Sequence, residues 1–92
     1  MIFSVLKSSR FKKSLARIVM SGTKDMPRIE LCIALLKRGA SPPYYKVHVL
    51  KGDYVGLFEC HIKSDLLLIY SVNEDLQVIT LNDIGSHSEL FG

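Results

Sequence analysis

The chain has 92 residues, 48% of them hydrophobic, and a formal net charge of +3. That length suits one domain with its own core and leaves no room for two. Two cysteines without paired spacing, Cys32 and Cys60, argue against a secreted disulfide framework and for a reducing cytoplasm.

The opening segment, Ile2 to Lys7, is rich in residues that favour extended backbone and predicts a first strand. It has no basic stretch before its apolar run and is broken by Lys7 and Arg10, so no signal peptide is expected. Ser8 and Ser9 can cap a helix whose apolar residues Phe11, Leu15, Ile18 and Val19 recur at helical spacing, with Lys12, Lys13 and Arg17 on the other side. Ser21-Gly22 ends it. Asp25 is the expected cap of a second helix, with Pro27 in its first turn and a buried stripe of Ile29, Cys32, Ile33 and Leu36, widened by Leu31 and Leu35. Lys37 and Arg38 complement the helix dipole before Gly39.

Residues 39–52 contain Pro42-Pro43 and Tyr44-Tyr45 and read as a connection. The period then changes to two, predicting strands over Tyr54–Ile62, Leu66–Val72 and Leu76–Leu81, separated by hairpin-length breaks. A short tail, residues 85–92, follows. The expected architecture is α+β, one small antiparallel sheet with two helices in the order β-α-α-β-β-β, as a single domain over residues 1–92. The longest apolar run, Leu66 to Tyr70, is far below the roughly 20 residues that span a bilayer, so no membrane partner is expected.

Charge is lopsided. Residues 1–51 hold eleven Lys and Arg against two acids, and residues 52–92 hold Lys63 against seven. Such a chain can offer a polyanion one basic face. Solvated helix faces would give the same counts.

Alternation places Glu59 and His61 together on one face of their strand, with Phe58, Cys60 and Ile62 forming a core row on the other. Asp65 follows just past the strand, close enough to orient an imidazole. The remaining histidines are His48, flanked by Lys46 and Lys51, and His87, four residues before Phe91. Metal binding fits poorly, because Cys60 and His61 point apart and no Cys-x-x-Cys or His-x-x-x-His pair exists; no metal or cofactor is expected. A nucleophilic hydrolase lacks its Gly-x-Ser-x-Gly turn. Acid–base cleavage of RNA fits better. RNA carries its own nucleophile, the 2′-OH, and histidine can take or give a proton near neutrality. Lys46 and Lys51 could offset phosphate charge, and Phe91 or Tyr54 could stack an unpaired base. A small basic RNA-binding module without cleavage remains an alternative from these residues alone.

Residues 45–52 (YKVHVLKG), 59–70 (ECHIKSDLLLIY) and 85–91 (GSHSELF), taken in order, resemble the YafQ-type branch of the RelE/ParE toxin superfamily. The resemblance runs along essentially the whole chain, with the specific motifs from Tyr45 onward. It implies a toxin of a bacterial type II toxin–antitoxin system: a ribosome-dependent mRNA endoribonuclease silenced by an antitoxin, expected to be of ribbon-helix-helix type. By the same similarity the catalytic residues are His48, His61, Asp65 and His87. His87 would be general acid, His48 general base, His61 a phosphate ligand oriented by Asp65, and Phe91 a nucleotide holder. Glu59 occupies a family acidic position. Relatives usually carry arginine where this chain has Phe58 and Asp83, and proline where it has Ser64. Losing two phosphate clamps leaves a second possibility, a non-catalytic toxin-fold protein that binds an antitoxin or another target as the ParE branch does.

Overall fold

The computed structural model describes residues 2–39 and 56–92 in full and the strand 47–49 by its backbone. The elements in order are β1 (Ser4–Lys7), α1 (Ser9–Met20), α2 (Met26–Lys37), β2 (Val47–Val49), β3 (Phe58–Lys63), β4 (Leu66–Asn73), β5 (Val78–Gly85) and α3 (His87–Phe91). The five strands form one sheet in the order β1-β5-β4-β3-β2.

The α+β class is as expected, but the sheet is mixed. The β2–β3, β3–β4 and β4–β5 pairs are antiparallel, whereas β1 runs parallel to β5, Ser4 facing Val78 through Lys7 facing Leu81. The helical hairpin after β1 carries the chain to β2 at the opposite edge of the sheet, and the antiparallel run β2-β3-β4-β5 then brings β5 back alongside β1 in the parallel sense. Three other boundaries move. The segment 39–52 contains β2, the tail ends in α3, and β5 begins at Val78 and not at Leu76. Leu76 is exposed, its N–H held by Asn73 Oδ1 at 3.0 Å, and Gln77 turns the chain with φ of 55°. The strand predicted from Tyr54 is seen from Phe58, residues 50–55 lying outside the described part.

Both long helices cover one face of the sheet, α1 against β5 and α2 against β3. Phe11, Ile29, Cys32 and Leu36 pack there on Cys60, Ile62, Leu68, Tyr70, Leu81 and Ile84. Ser8 ties α1 to the sheet twice, accepting the Phe11 N–H at 3.0 Å and donating to the Asn82 carbonyl at 2.7 Å. Asp25 precedes α2 without capping it by its side chain; its carboxylate accepts from Thr23 Oγ1 at 2.7 Å and pairs with Lys63 Nζ at 2.8 Å. That pair fastens the β3–β4 turn to the start of α2. Cys32 and Cys60 are free thiols in the core, sulfurs 3.4 Å apart, as packing residues should be. Their shared hydrogen bond and burial push the Cys32 thiol well above the ordinary range, so it stays protonated.

Candidate active site

The sheet's other face is lined differently. On β3 the residues pointing away from the helices are Glu59 and His61, opposite Ile69 and Leu67 of β4. Residues directly opposite in an antiparallel pair share a face. Leu67 and Ile69 are fully or nearly buried without belonging to the helix-side core, so they floor this face. His61 Nε2 lies 2.8 Å from Glu59 Oε1, with the imidazole 29% and the carboxylate 11% exposed. A carboxylate can only accept, so Nε2 carries the proton in this bond. The carboxylate thereby fixes the tautomer and the tilt of the ring.

Register extends the site across the sheet. His61 faces Leu67, and Leu67 in turn faces Gly85 on β5. Strands lie about 4.8 Å apart, so Gly85 sits roughly 10 Å from His61 and delivers the chain into α3 at that edge of the face. His48 pairs in register with Glu59 from the other side. Its side chain is outside the described residues, as are Lys46 and Lys51 entirely.

Five residues are too few for a helix to stand alone. α3 is therefore held from outside. Ser86 Oγ accepts the Glu89 N–H at 3.2 Å while Glu89 Oε1 accepts the Ser86 N–H at 2.8 Å, a reciprocal capping box. These bonds hold the Glu89 carboxyl below its ordinary value. Asp65, at the β3–β4 turn, adds a third anchor: its Oδ1 accepts the His87 N–H at 3.0 Å. Gly85 permits the close approach, since a Cβ there would meet Glu89 Oε1 at 3.2 Å and Leu90 Cδ2 at 3.6 Å. One helical turn then brings the rings of His87 and Phe91 to 5.0 Å between centroids, tilted by 48°.

Of the expected residues that are described, Glu59 and His61 form one pair, and Asp65, His87 and Phe91 meet at α3. Glu59, assigned to substrate contact from the sequence, is the carboxylate on the His61 ring. Asp65, expected to orient that ring, instead reaches the His87 backbone. The signal for α3 was present as Ser86-x-x-Glu89, the capping-box spacing.

The two positions where resemblance calls for arginine are spent on packing. Phe58 stacks on Tyr70, centroids 5.5 Å apart and planes 23° from parallel. Burial pushes the Tyr70 hydroxyl up to about 12, so that ring stays neutral. Asp83 is tied through Oδ1 to Ser14 Oγ at 2.6 Å and to the Ile84 N–H at 2.8 Å. It lies where β5 slips register between Ile69 and Tyr70 of its neighbour, and it lines a cleft of about 440 Å³ with Ser14, Arg17 and Glu89. Among the described residues no group of three or more His, Cys, Asp or Glu is placed to hold a metal ion.

A family model described as the bacterial toxin of type II toxin–antitoxin system, YafQ, matches residues 4–92. The mRNA interferase toxin YafQ of Escherichia coli (strain K12) is 29% identical over 87 residues, 92% of this chain and 91% of that protein. Among solved structures, a metal-bound toxin from Helicobacter pylori matches with a TM-score of 0.88 and 35% identity, covering 99% of this chain and all of that one. The Escherichia coli DinJ–YafQ toxin–antitoxin complex matches with a TM-score of 0.85 and 26% identity over the full length of both chains.

Proposed function

This chain belongs to the YafQ family of toxins of bacterial type II toxin–antitoxin systems, and we propose that it cuts mRNA at the face carrying Glu59, His61 and α3. It is an mRNA interferase, an endoribonuclease held in check by an antitoxin. The ribosome presents the mRNA, the antitoxin is of ribbon-helix-helix type, and the setting is the cytoplasm. The observation that carries this reading is the register row from His61 through Leu67 to Gly85, which sets the Glu59–His61 pair beside the anchored helix bearing His87 and Phe91.

The reaction needs no metal in this account. His48 takes the proton from the 2′-OH, whose oxygen attacks the adjacent phosphorus. The bond to the 5′ oxygen breaks, and His87 gives that oxygen its proton. His61, its Nε2–H held by Glu59, donates from Nδ1–H as the imidazolium to a phosphate oxygen as charge builds there, and charge stabilisation of this kind is commonly the largest catalytic term. Phe91 packs the flanking base beside His87, where stacking is typically worth about 1–3 kcal/mol per base. Lys46 and Lys51 offset phosphate charge. Asp65 acts as a positioning residue: it holds the first turn of α3 and so sets where His87 and Phe91 stand.

The products are a 2′,3′-cyclic phosphate and a 5′-hydroxyl. Mapping mRNA ends on translating ribosomes tests this. Wild-type protein is expected to leave 5′-hydroxyl ends and His87→Ala to leave none above background. Cutting by His87→Ala at the wild-type rate would remove His87 as the acid.

A further inference from the structure

The β3–β4 connection is too short to shape itself. β3 ends at Lys63 and β4 begins at Leu66, leaving Ser64 and Asp65 as a two-residue turn. Neither has a positive φ, which excludes the primed turns whose twist matches that of the strands they join. Strand pairing slips between His61 and Lys63, immediately before the turn. A turn of this kind lets its strands splay unless something outside holds it. Two bonds do so. On one side Lys63 Nζ meets Asp25 Oδ2 at 2.8 Å, and on the other Asp65 Oδ1 accepts the His87 N–H at 3.0 Å. Thr23, Asp25, Lys63, Asp65, Ser86 and Glu89 line one shallow cleft, so both bonds belong to a single seam beside α3.

The ion pair is placed to fix position more than to add stability. Asp25 makes no side-chain capping bond to α2, so the helix does not depend on its carboxylate. Lys63 is the only Lys or Arg in residues 52–92, yet its ammonium is held by Asp25. The pair is partly exposed, 43% on the lysine side and 18% on the aspartate side, and ion pairs of that kind add little to stability. Ser64, between the two anchored residues, stands where relatives carry proline. Proline presets φ at the first central position of an unprimed turn; here an ion pair reaching from another part of the chain does that stiffening. Resting on the reading of this chain as an mRNA-cutting toxin, we propose that Asp25 is a positioning residue for the reaction: it holds Lys63, and through the β3–β4 turn and Asp65 it sets where α3 presents His87 and Phe91. The connection between the two long helices thereby governs the placing of the acid.

The test compares full-length Asp25→Ala, Lys63→Met and their double variant with wild type on translating ribosomes, with circular dichroism and urea unfolding as checks on the fold. Each single variant is expected to lower kcat about tenfold, less than the loss that a 1 Å misplacement brings, with KM and the unfolding midpoint unchanged. The double variant should be no worse than either single one, since both remove the same tie. Ser64→Pro added to Asp25→Ala should recover most of the lost rate, because it stiffens the turn without any charge. Amide exchange at residues 87–91 should rise in Asp25→Ala and fall again once Ser64→Pro is added. Full activity in Asp25→Ala overturns the proposal. So does a loss confined to Lys63→Met, or a raised KM, either of which would make Lys63 an RNA contact. Unfolding of Asp25→Ala would make the tie a general stabiliser and overturns it too. If wild-type protein cuts no mRNA, the catalytic reading fails, and exchange at residues 87–91 still decides whether Asp25 holds α3.

Discussion

Glu59 and Asp65 are both carboxylates near the same histidines, yet they do different work, and conservative substitutions separate them. Asp65 acts by accepting one backbone N–H. An amide oxygen accepts as well, so Asp65→Asn is expected to keep most of the cutting activity and Asp65→Ala to lose about 100-fold, the scale on which a 1 Å misplacement acts. Equal losses in both would mean that the negative charge matters and the anchor does not. Glu59→Gln leaves an acceptor but frees the His61 ring from a defined tautomer. A fall of about tenfold in rate with an altered pH profile and an unchanged melting temperature is expected, again through misplacement. Ser14 and Asp83 are bonded to each other and tie α1 to β5. Ser14→Ala removes one of two bonds to a half-buried carboxylate and should cost about 1–3 kcal/mol in urea unfolding while sparing catalysis. The face of β3 was readable from the sequence because a period of two assigns sides without further information. Which carboxylate each imidazole would meet was not, because a side chain's partner depends on where the next element returns.

At the scale of elements, the parts that escaped the sequence are the short ones. α1 and α2 are twelve residues each with clear caps or stops, and their periods locate them. β2 has three residues and α3 five, too few for periodicity, and both are fixed by neighbours: β2 by its pairing with β3, α3 by Ser86, Glu89 and Asp65. The parallel β1–β5 pairing was equally hidden, since alternation says nothing of strand direction. Gly85 is where this dependence can be probed. A methyl group there would crowd the Glu89 carboxylate, Oε1 at 3.2 Å, and so disturb the capping box, so Gly85→Ala is expected to loosen α3, raise amide exchange from residue 87 onward and reduce cutting, with the core unchanged. Full activity with wild-type exchange would show that α3 tolerates a looser seat.

For the molecule as a whole, two acidic anchors secure the margin of the site: Asp25 with Lys63, and Glu89 with Ser86. Both carboxyls are held below their ordinary values of 3.8 and 4.5, Asp25 first by its bond to Lys63 and Glu89 first by the Ser86 N–H. A depressed value in the folded state means stability that is present above the ordinary value and lost as pH falls through the depressed one. α3 should therefore loosen in acid before the core does, visible as exchange at residues 87–91, and Glu89→Gln should make that step independent of pH. The central claim is that His61 on the sheet and His87 on the short helix act on one phosphodiester. A double-mutant cycle in mRNA cutting on ribosomes measures it. Groups that act as a unit are not additive, so His61→Ala and His87→Ala should each cost about 100-fold or more, and the double variant should be no worse than the weaker single one. Losses that multiply, or a single substitution without effect, would contradict a shared site.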